Sequence, residues 1–366
     1  MAIETIKWVK QSVRIIDQTQ LPHRLEYINC RDVNTLCRAI RRLSVRGAPA
    51  LGVAAGFGVL LGIRTFQGKD RKKFLRHFKQ VCDTIGSSRP TAVNLFNVLD
   101  IMRNVVNDHP QAPVKELKEL LHAAAFSVYE EDKKVNRRMG RHGATLIKNG
   151  DCIMTICNAG ALATVDYGTA LGVMFSAKAQ GKHFGVYALE SRPLLQGARL
   201  TAWELLREKI DVTLICDSMA AAVMKDKNIK AIFTGADRIA ANGDSANKIG
   251  TQNLAILAAY HKIPFYIVAP RSTFDLSIRS GRDIPIEERD KKEVLFFAGR
   301  QTAPSRVKVY NPAFDVTDHK LISGIVTEAG IIRPPFVSNI KKIFKKMKPA
   351  GCGTRPHDLP DSGQVT

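Results

Sequence analysis

The chain has no cysteine pair at CxxC spacing, no Cys/His set at metal-ligand spacing, and no apolar run long enough to cross a bilayer. Its seven cysteines are odd in number and scattered. A disulfide framework and a structural zinc site are thereby excluded, and a reducing compartment is expected. No GxxxxGK[ST] loop, intact GxGxxG fingerprint, HExxH pair or GxSxG elbow occurs, which removes the main support for P-loop nucleotide, zinc-protease and serine-hydrolase chemistry. Met1 to Glu4 lack a basic stretch followed by an apolar one, so no membrane association and a cytoplasmic location are expected.

Acidic residues are scarce as well: 34 stand against 55 lysines and arginines, for a formal charge of +21. Such an excess can neutralise phosphates. Its distribution points elsewhere. Arg71, Lys72, Lys73, Arg76 and Lys79 alternate with Phe74, Leu75 and Phe78 as the polar face of an amphipathic helix would. Lys341 to Lys348 close the fold ahead of a loose Pro- and Gly-containing tail. With aromatics at 7% and no nucleic-acid recognition motif accompanying the charge, a nucleic-acid partner is not expected, whereas small anionic substrates are compatible with the surface.

What is present is enough apolar sequence, 45% of 366 residues, for two domains. Three strand-like runs before residue 30 (3–9, 12–16 and 24–28) predict a small antiparallel sheet. Helical patterns follow: Asp32 can cap a segment reaching Leu43, Pro49 can open one reaching Arg64, Pro90 precedes one ending near Val106, and Pro113 starts a longer one. From Cys152 the pattern switches. Apolar strands at 152–157, 183–189, 211–217, 231–237 and 265–269 alternate with helices, the signature of βαβ units and a mainly parallel sheet. The expected division is a mixed sheet and helical domain over 1–145, a second α/β domain over 146–340, and a basic segment with a disordered tail over 341–366.

Three segments carry candidate chemistry. Cys157 ends a buried strand and precedes Asn158-Ala159-Gly160 at the edge where open α/β sheets bind ligands. A helix opening at Gly160 would offer amides to an anion and favour a thiolate; the competing reading is an inert core cysteine. Asp237 ends the apolar strand Ile232-Phe233-Thr234 on the same edge, as a poised carboxyl or as a partner of Arg238 or cap of the next turn. Arg46-Gly47-Ala48-Pro49 opens a helix with a guanidinium, a permissive glycine and a pre-set first turn, a compact anion-binding string unless Arg46 serves a structural ion pair. Asp217 reads as a helix cap. Arg89-Pro90, Arg192-Pro193, Gln196-Gly197 and Asn247-Lys248 add polar groups in turns at helix starts.

Taken in order, these segments resemble the methylthioribose-1-phosphate isomerases of methionine salvage. The resemblance runs from Ile6-Lys7-Trp8 through Arg46-Gly47-Ala48-Pro49-Ala50, Arg89-Pro90-Thr91, Cys157-Asn158, Arg192-Pro193, Gln196-Gly197, Gly235-Ala236-Asp237-Arg238 and Asn247-Lys248-Ile249-Gly250 to Asn311–Thr317 and Ile325–Glu328. It implies an aldose–ketose isomerase that needs neither metal nor organic cofactor, acts on a phosphorylated pentose and forms a homodimer. It also implies an α/β fold with a small antiparallel sheet plus helices and a Rossmann-like C-terminal domain. Carried over residue by residue, Cys157 and Asp237 are the catalytic pair, and Arg46, Gly47, Ala48, Arg89, Gln196, Asn247 and Lys248 bind substrate. The same superfamily holds isomerases of other pentose 1-phosphates, such as ribose 1,5-bisphosphate and 5-deoxyribose 1-phosphate. It also holds regulatory subunits of a translation-initiation exchange factor, the non-enzymatic alternative. The chain departs from the family's frequent pattern at Ile156 and Ala159, where His and Thr are common.

Overall fold

The computed structural model describes residues 3–90 and 92–345. Three strands, β1 (Ile6–Val9), β2 (Ser12–Ile16) and β3 (Tyr27–Cys30), form an antiparallel sheet in that order. The third lies later than its expected place at 24–28 because Ile16 pairs with Tyr27 and Val13 with Cys30. Five helices follow: α1 (Val33–Arg41), α2 (Ala48–Ile63), α3 (Arg71–Gly86), α4 (Val93–Asp108) and α5 (Val114–Ala144). Asp32 caps α1 by accepting from the Thr35 amide, and Pro49 sits in the first turn of α2, both as the sequence predicts.

Helix α2 is the axis of this half of the molecule. It has no polar face, every residue from Ala50 to Ile63 is buried, and helices with apolar surface all round belong inside a core. Phe57 at its centre packs against Trp8, Phe126 and Tyr129, with ring centroids 5.4–5.7 Å apart. Around it α3 turns Phe74, Phe78, Val81, Cys82 and Ile85 inward and its lysines outward. The long α5 leaves this core for a second one: Leu117, Leu121 and Ala125 belong to the first, Met139 and Ala144 to the next.

The C-terminal half is built from β4 (Cys152–Thr155), α6 (Ala170–Ala179), β5 (Gly185–Leu189), α7 (Ala202–Arg207), β6 (Asp211–Ile215), α8 (Ala220–Asp226) and β7 (Ile229–Thr234). There follow β8 (Arg238–Ala240), β9 (Ser245–Lys248), α9 (Thr251–Tyr260), β10 (Phe265–Val268), β11 (Phe274–Asp275) and α10 (Lys292–Leu295). The chain ends with β12 (Phe296–Phe297), β13 (Arg300–Gln301), β14 (Phe314–Thr317), β15 (Gly324–Thr327), β16 (Gly330–Ile332) and α11 (Phe336–Lys345). Seven strands make the main sheet in the order β16-β15-β10-β7-β4-β5-β6, parallel except for β16. A second sheet, β11-β8-β9-β14, and the β12-β13 hairpin were not foreseen. Their strands are two to four residues long, too short to leave a periodic signal.

Strand order reverses beside β4. The chain moves outward through β5 and β6, then returns to place β7 on the other side of β4. At such a switch point the loops after the two strands diverge and leave a crevice at their carboxyl ends. The described part of the basic segment, Lys341 to Lys345, is the end of α11, whose Phe336 and Ile340 are buried; the rest of that segment and the expected tail from Pro349 lie outside the described residues. Among the described residues no helix is long and apolar enough to cross a membrane.

Because Phe57 is fully buried between three aromatic rings, Phe57→Ala is expected to cost about 3–5 kcal/mol of stability. Urea unfolding followed by circular dichroism measures this; a loss below about 1 kcal/mol would mean that α2 is not the packing axis.

Candidate active site

Cys157 and Asp237 lie just past the ends of β4 and β7, on the two sides of the switch point, and line one cavity. Arg46, Gly47, Ala48, Arg89, Gln196, Asn247 and Lys248 line the same cavity. All nine residues that the family resemblance implies are therefore gathered in one place, from segments up to about 200 positions apart, whereas Arg192 and Asp217 stand outside the lining.

The backbone at Cys157 is left-handed, with φ 62°, and it is held from both sides. Its amide donates to the Ser191 hydroxyl (2.6 Å), and its carbonyl accepts from the Thr201 hydroxyl (2.6 Å). Ser191 stands at the end of the neighbouring strand β5, and its own amide and that of Arg192 donate to the carboxylate of Asp217 (2.8 and 2.7 Å). Asp217 thus fastens this turn rather than capping a helix. Nor does a helix open at Gly160. The chain makes a single 3-10 turn at Ala161–Ala163, closes a loop through Thr169 N to Ala159 O (2.9 Å), and starts α6 only at Ala170. The buried side chain of Glu204 packs against the backbone here: a Cβ on Gly160 would lie 2.4 Å from its carboxyl oxygen.

The helix that does point at the cavity is α2. Its N-terminus has no side-chain cap and no acid in the first turn, so its dipole and amides face the space lined by Gly47 and Ala48. Gly47 is required there. Its φ is +91°, and a Cβ would sit 2.3 Å from the Ala163 carbonyl oxygen.

Arg46 places its guanidinium against Asn158, donating to its side-chain oxygen and to its backbone carbonyl (3.2 Å), while Nε is buried without a partner. It makes no structural ion pair among the described residues. The Gln196 Oε1 is likewise buried and unpartnered. Lys248 donates to the Ala313 carbonyl (3.0 Å) and lies 4.9 Å over the Phe314 ring. Asn247 donates to the Thr251 hydroxyl (3.1 Å). The neighbour of Asp237, Arg238, turns to Asp275 at 3.8 Å, so Asp237 is not its partner.

Burial dominates the electrostatics. It pushes the Asp237 carboxyl above the usual carboxylate range against the pull of Lys248, Arg89 and Arg46, favouring the protonated acid. It pushes the Cys157 thiol up too, with Arg46 and Lys248 pulling it back and Asp237 adding to the rise. Burial thus works against the thiolate expected from an adjoining helix N-terminus, and no such helix is there to offset it. Burial also lowers the pKa values of Arg46, Arg89 and Lys248: three cations share a dry space with few counter-charges, an arrangement that an anion would relieve.

Sequence reasoning missed Ser191, Thr201 and Glu204 behind the site and Glu287 and Arg289 on its wall. Leu200, Thr201, Glu204 and Leu205 form a buried helical face, and an acid on that face was the one available signal. Arg289 is held by Glu287 (3.0 Å) and Glu293 (2.5 Å). Away from the cavity, Asp244, Asp318 and His319 bring possible ligand atoms within 4.8 Å of one another. Asp244 is already engaged by the amides of Gly281 and His319 (2.9 Å each) and the Asn242 side chain (2.8 Å), so it serves as a fastening.

The geometry defines an α/β protein with a thiol, a buried acid and an anion-ready helix N-terminus at a sheet switch point. The chain belongs to the Initiation factor 2 subunit family, whose pattern matches residues 44–334. It is 51% identical over 344 residues to the methylthioribose-1-phosphate isomerase of Fervidobacterium nodosum, covering 93% of this chain and 98% of the relative. The enzyme of that name from Desulforamulus reducens is 49% identical over 341 residues, covering 93% and 99%. Among solved structures, 5-methylthioribose 1-phosphate isomerase from Pyrococcus horikoshii OT3 superposes with a TM-score of 0.89 at 45% identity, covering 94% of this chain and 96% of that one. A structure titled translation initiation factor eIF-2B, subunit delta, from A. fulgidus gives 0.85 at 46%, covering 94% and 100%.

Burial raises the Glu204 carboxyl from 4.5 to about 7. A carboxyl raised on folding contributes stability below its unfolded pKa and loses it as pH climbs through the folded one. Wild type should accordingly lose stability relative to Glu204→Gln between pH 4.5 and about 7, as read from urea midpoints. Parallel curves would mean that Glu204 titrates as an ordinary carboxylate.

Proposed function

We propose that the chain converts 5-methylthioribose 1-phosphate to 5-methylthioribulose 1-phosphate, with Cys157 and Asp237 as its catalytic pair. The observation that supports this most is their placement on either side of one switch-point crevice, within a ring of desolvated cations. The curated relatives carrying that activity in their names match over nearly their whole length.

Phosphate on the anomeric oxygen blocks ordinary opening of the sugar, so the ring oxygen must be protonated as its bond to C1 breaks. Asp237, whose carboxyl burial pushes above the usual carboxylate range, supplies that proton. One hydrogen then moves from C2 to C1 while the 2-hydroxyl loses its proton and becomes the ketone. It travels either as a proton, taken from C2 and returned at C1 by Cys157, or as hydride directly between the carbons. Isomerisation in D2O tests the routes: deuterium at C1 marks the proton path. The α2 N-terminus, Arg46 and Lys248 hold the phosphate, and Arg89, Gln196 and Asn247 complete the polar lining. The apolar walls, including Leu51, Ile156 and Phe314, suit a methylthio group and exclude water.

Two further readings share the fold. A regulatory subunit of a translation-initiation factor draws on the likeness to the A. fulgidus eIF-2B subunit delta structure, and an isomerase for ribose 1,5-bisphosphate or 5-deoxyribose 1-phosphate would need the same ring chemistry. Comparing kcat/KM for the three sugar phosphates decides among them: the methylthio substrate is expected to lead, and absence of turnover with all three would favour the regulatory reading. A homodimer belongs to the same proposal. Leu206, Leu214 and Met219 are exposed around the edge strand β6, and light scattering reads the mass.

Cys157→Ser and Asp237→Asn are expected to abolish turnover by NMR while circular dichroism stays native; near-native turnover in either removes that residue from the mechanism. Arg46→Ala and Lys248→Ala should each weaken substrate binding by about 1.5–3 kcal/mol, the worth of a hydrogen bond to a charged group. A KM unchanged in both would move the phosphate elsewhere.

A further inference from the structure

We propose that Glu204 is a positioning residue for the reaction, acting through Asn158 to aim the Arg46 guanidinium into the cavity and to set how much of its charge reaches Cys157. This rests on the role given to Arg46 above.

The chain of contacts is continuous. Glu204 is 2% exposed, and its carboxylate accepts from the Asn158 side-chain amide at 2.7 Å and from the Leu162 amide at 3.4 Å. An amide whose nitrogen is so engaged has one way to face. Its oxygen is turned to Arg46, and the Asn158 backbone carbonyl takes a second guanidinium N–H. Two acceptors on one residue fix the plane of the guanidinium, leaving the buried Nε free of any protein partner. One turn earlier on the same helical face, the Thr201 hydroxyl accepts from the Asn158 amide (3.1 Å) and donates to the Cys157 carbonyl (2.6 Å). Glu204 and Thr201 therefore brace the Cys157–Asn158 peptide from behind, as Ser191 does from the side.

The electrostatic part follows from the same positions. The charged groups facing Arg46 are Cys157, Glu204, Asp237 and Arg89, and those facing Cys157 are Arg46, Lys248 and Asp237. An ionised Glu204 draws on the Arg46 charge that would otherwise stabilise a Cys157 thiolate. A neutral Glu204 leaves that charge to the thiol and to the substrate. Burial pushes the carboxyl up to about 7, so the balance shifts across neutral pH.

The test compares wild type, Glu204→Gln and Glu204→Ala by two readouts: the alkylation rate of Cys157 against pH, resolved by peptide mass spectrometry from the other cysteines, and steady-state kinetics. In Glu204→Gln, whose carbonyl still accepts from Asn158, KM is expected to stay within about threefold of wild type. Its Cys157 alkylation midpoint should move to lower pH by at least about half a unit, because the opposing charge is gone. In Glu204→Ala the amide is released and KM should rise at least about tenfold with kcat little changed. An unshifted alkylation midpoint in Glu204→Gln overturns the proposal, and it does so even if Glu204→Ala fails to fold. So does a folded Glu204→Ala with wild-type KM. Alkylation needs no substrate, so a wild-type protein inactive on the sugar phosphate would defeat the functional reading while leaving this comparison intact.

Discussion

The seating of Arg46 against Asn158 is the contact on which the site's construction depends. Arg46 belongs to the loop that opens α2, at the centre of the N-terminal core, and Asn158 to the loop that leaves β4, at the centre of the main sheet. A guanidinium is costly to bury unless its donors are met, and here one residue supplies two acceptors. Joining the halves at this point brings the open N-terminus of α2 to the carboxyl edge of the sheet, so that the cavity has a cationic and amide wall on one side and the Cys157 and Asp237 loops on the other.

The cavity is expensive in electrostatic terms. Arg46, Arg89 and Lys248 are pushed toward neutrality, and Asp237, Cys157 and Glu204 are pushed toward their protonated forms. All six shifts have burial as their largest cause. Perturbation of this kind concentrates where chemistry is done. An anionic ligand would supply counter-charge to the cations, while burial favours the uncharged form of the Asp237 carboxyl.

The backbone around Cys157 carries a related constraint. A left-handed residue other than glycine is uncommon, and Cys157 is held there by hydroxyls from two different elements. Behind them stand Asp217, on the turn after β6, and Glu204, on α7. The Cys157 loop is thus fixed by groups outside the cavity lining.

The sequence by itself determined the local pieces: the three-strand start, the Asp32 and Pro49 helix openings, the amphipathic face of α3, the switch at residue 152 to alternating strands and helices, and the short strings around Arg46, Cys157 and Asp237 that now line one cavity. These are written in periodicity, capping residues and short strings, which act over a few positions. Only the tertiary structure decided what those pieces meet. That Asp217 holds a turn instead of capping a helix, that α2 and not the chain after Cys157 presents a helix N-terminus, and that Glu204 lies behind Asn158 all follow from contacts across 25 to 112 positions. The direction of the Asp237 shift was undecidable, and the thiolate expected at Cys157 was opposed by burial, for the same reason: desolvation and neighbouring charge act through space, and strand order at the switch point is what sets both.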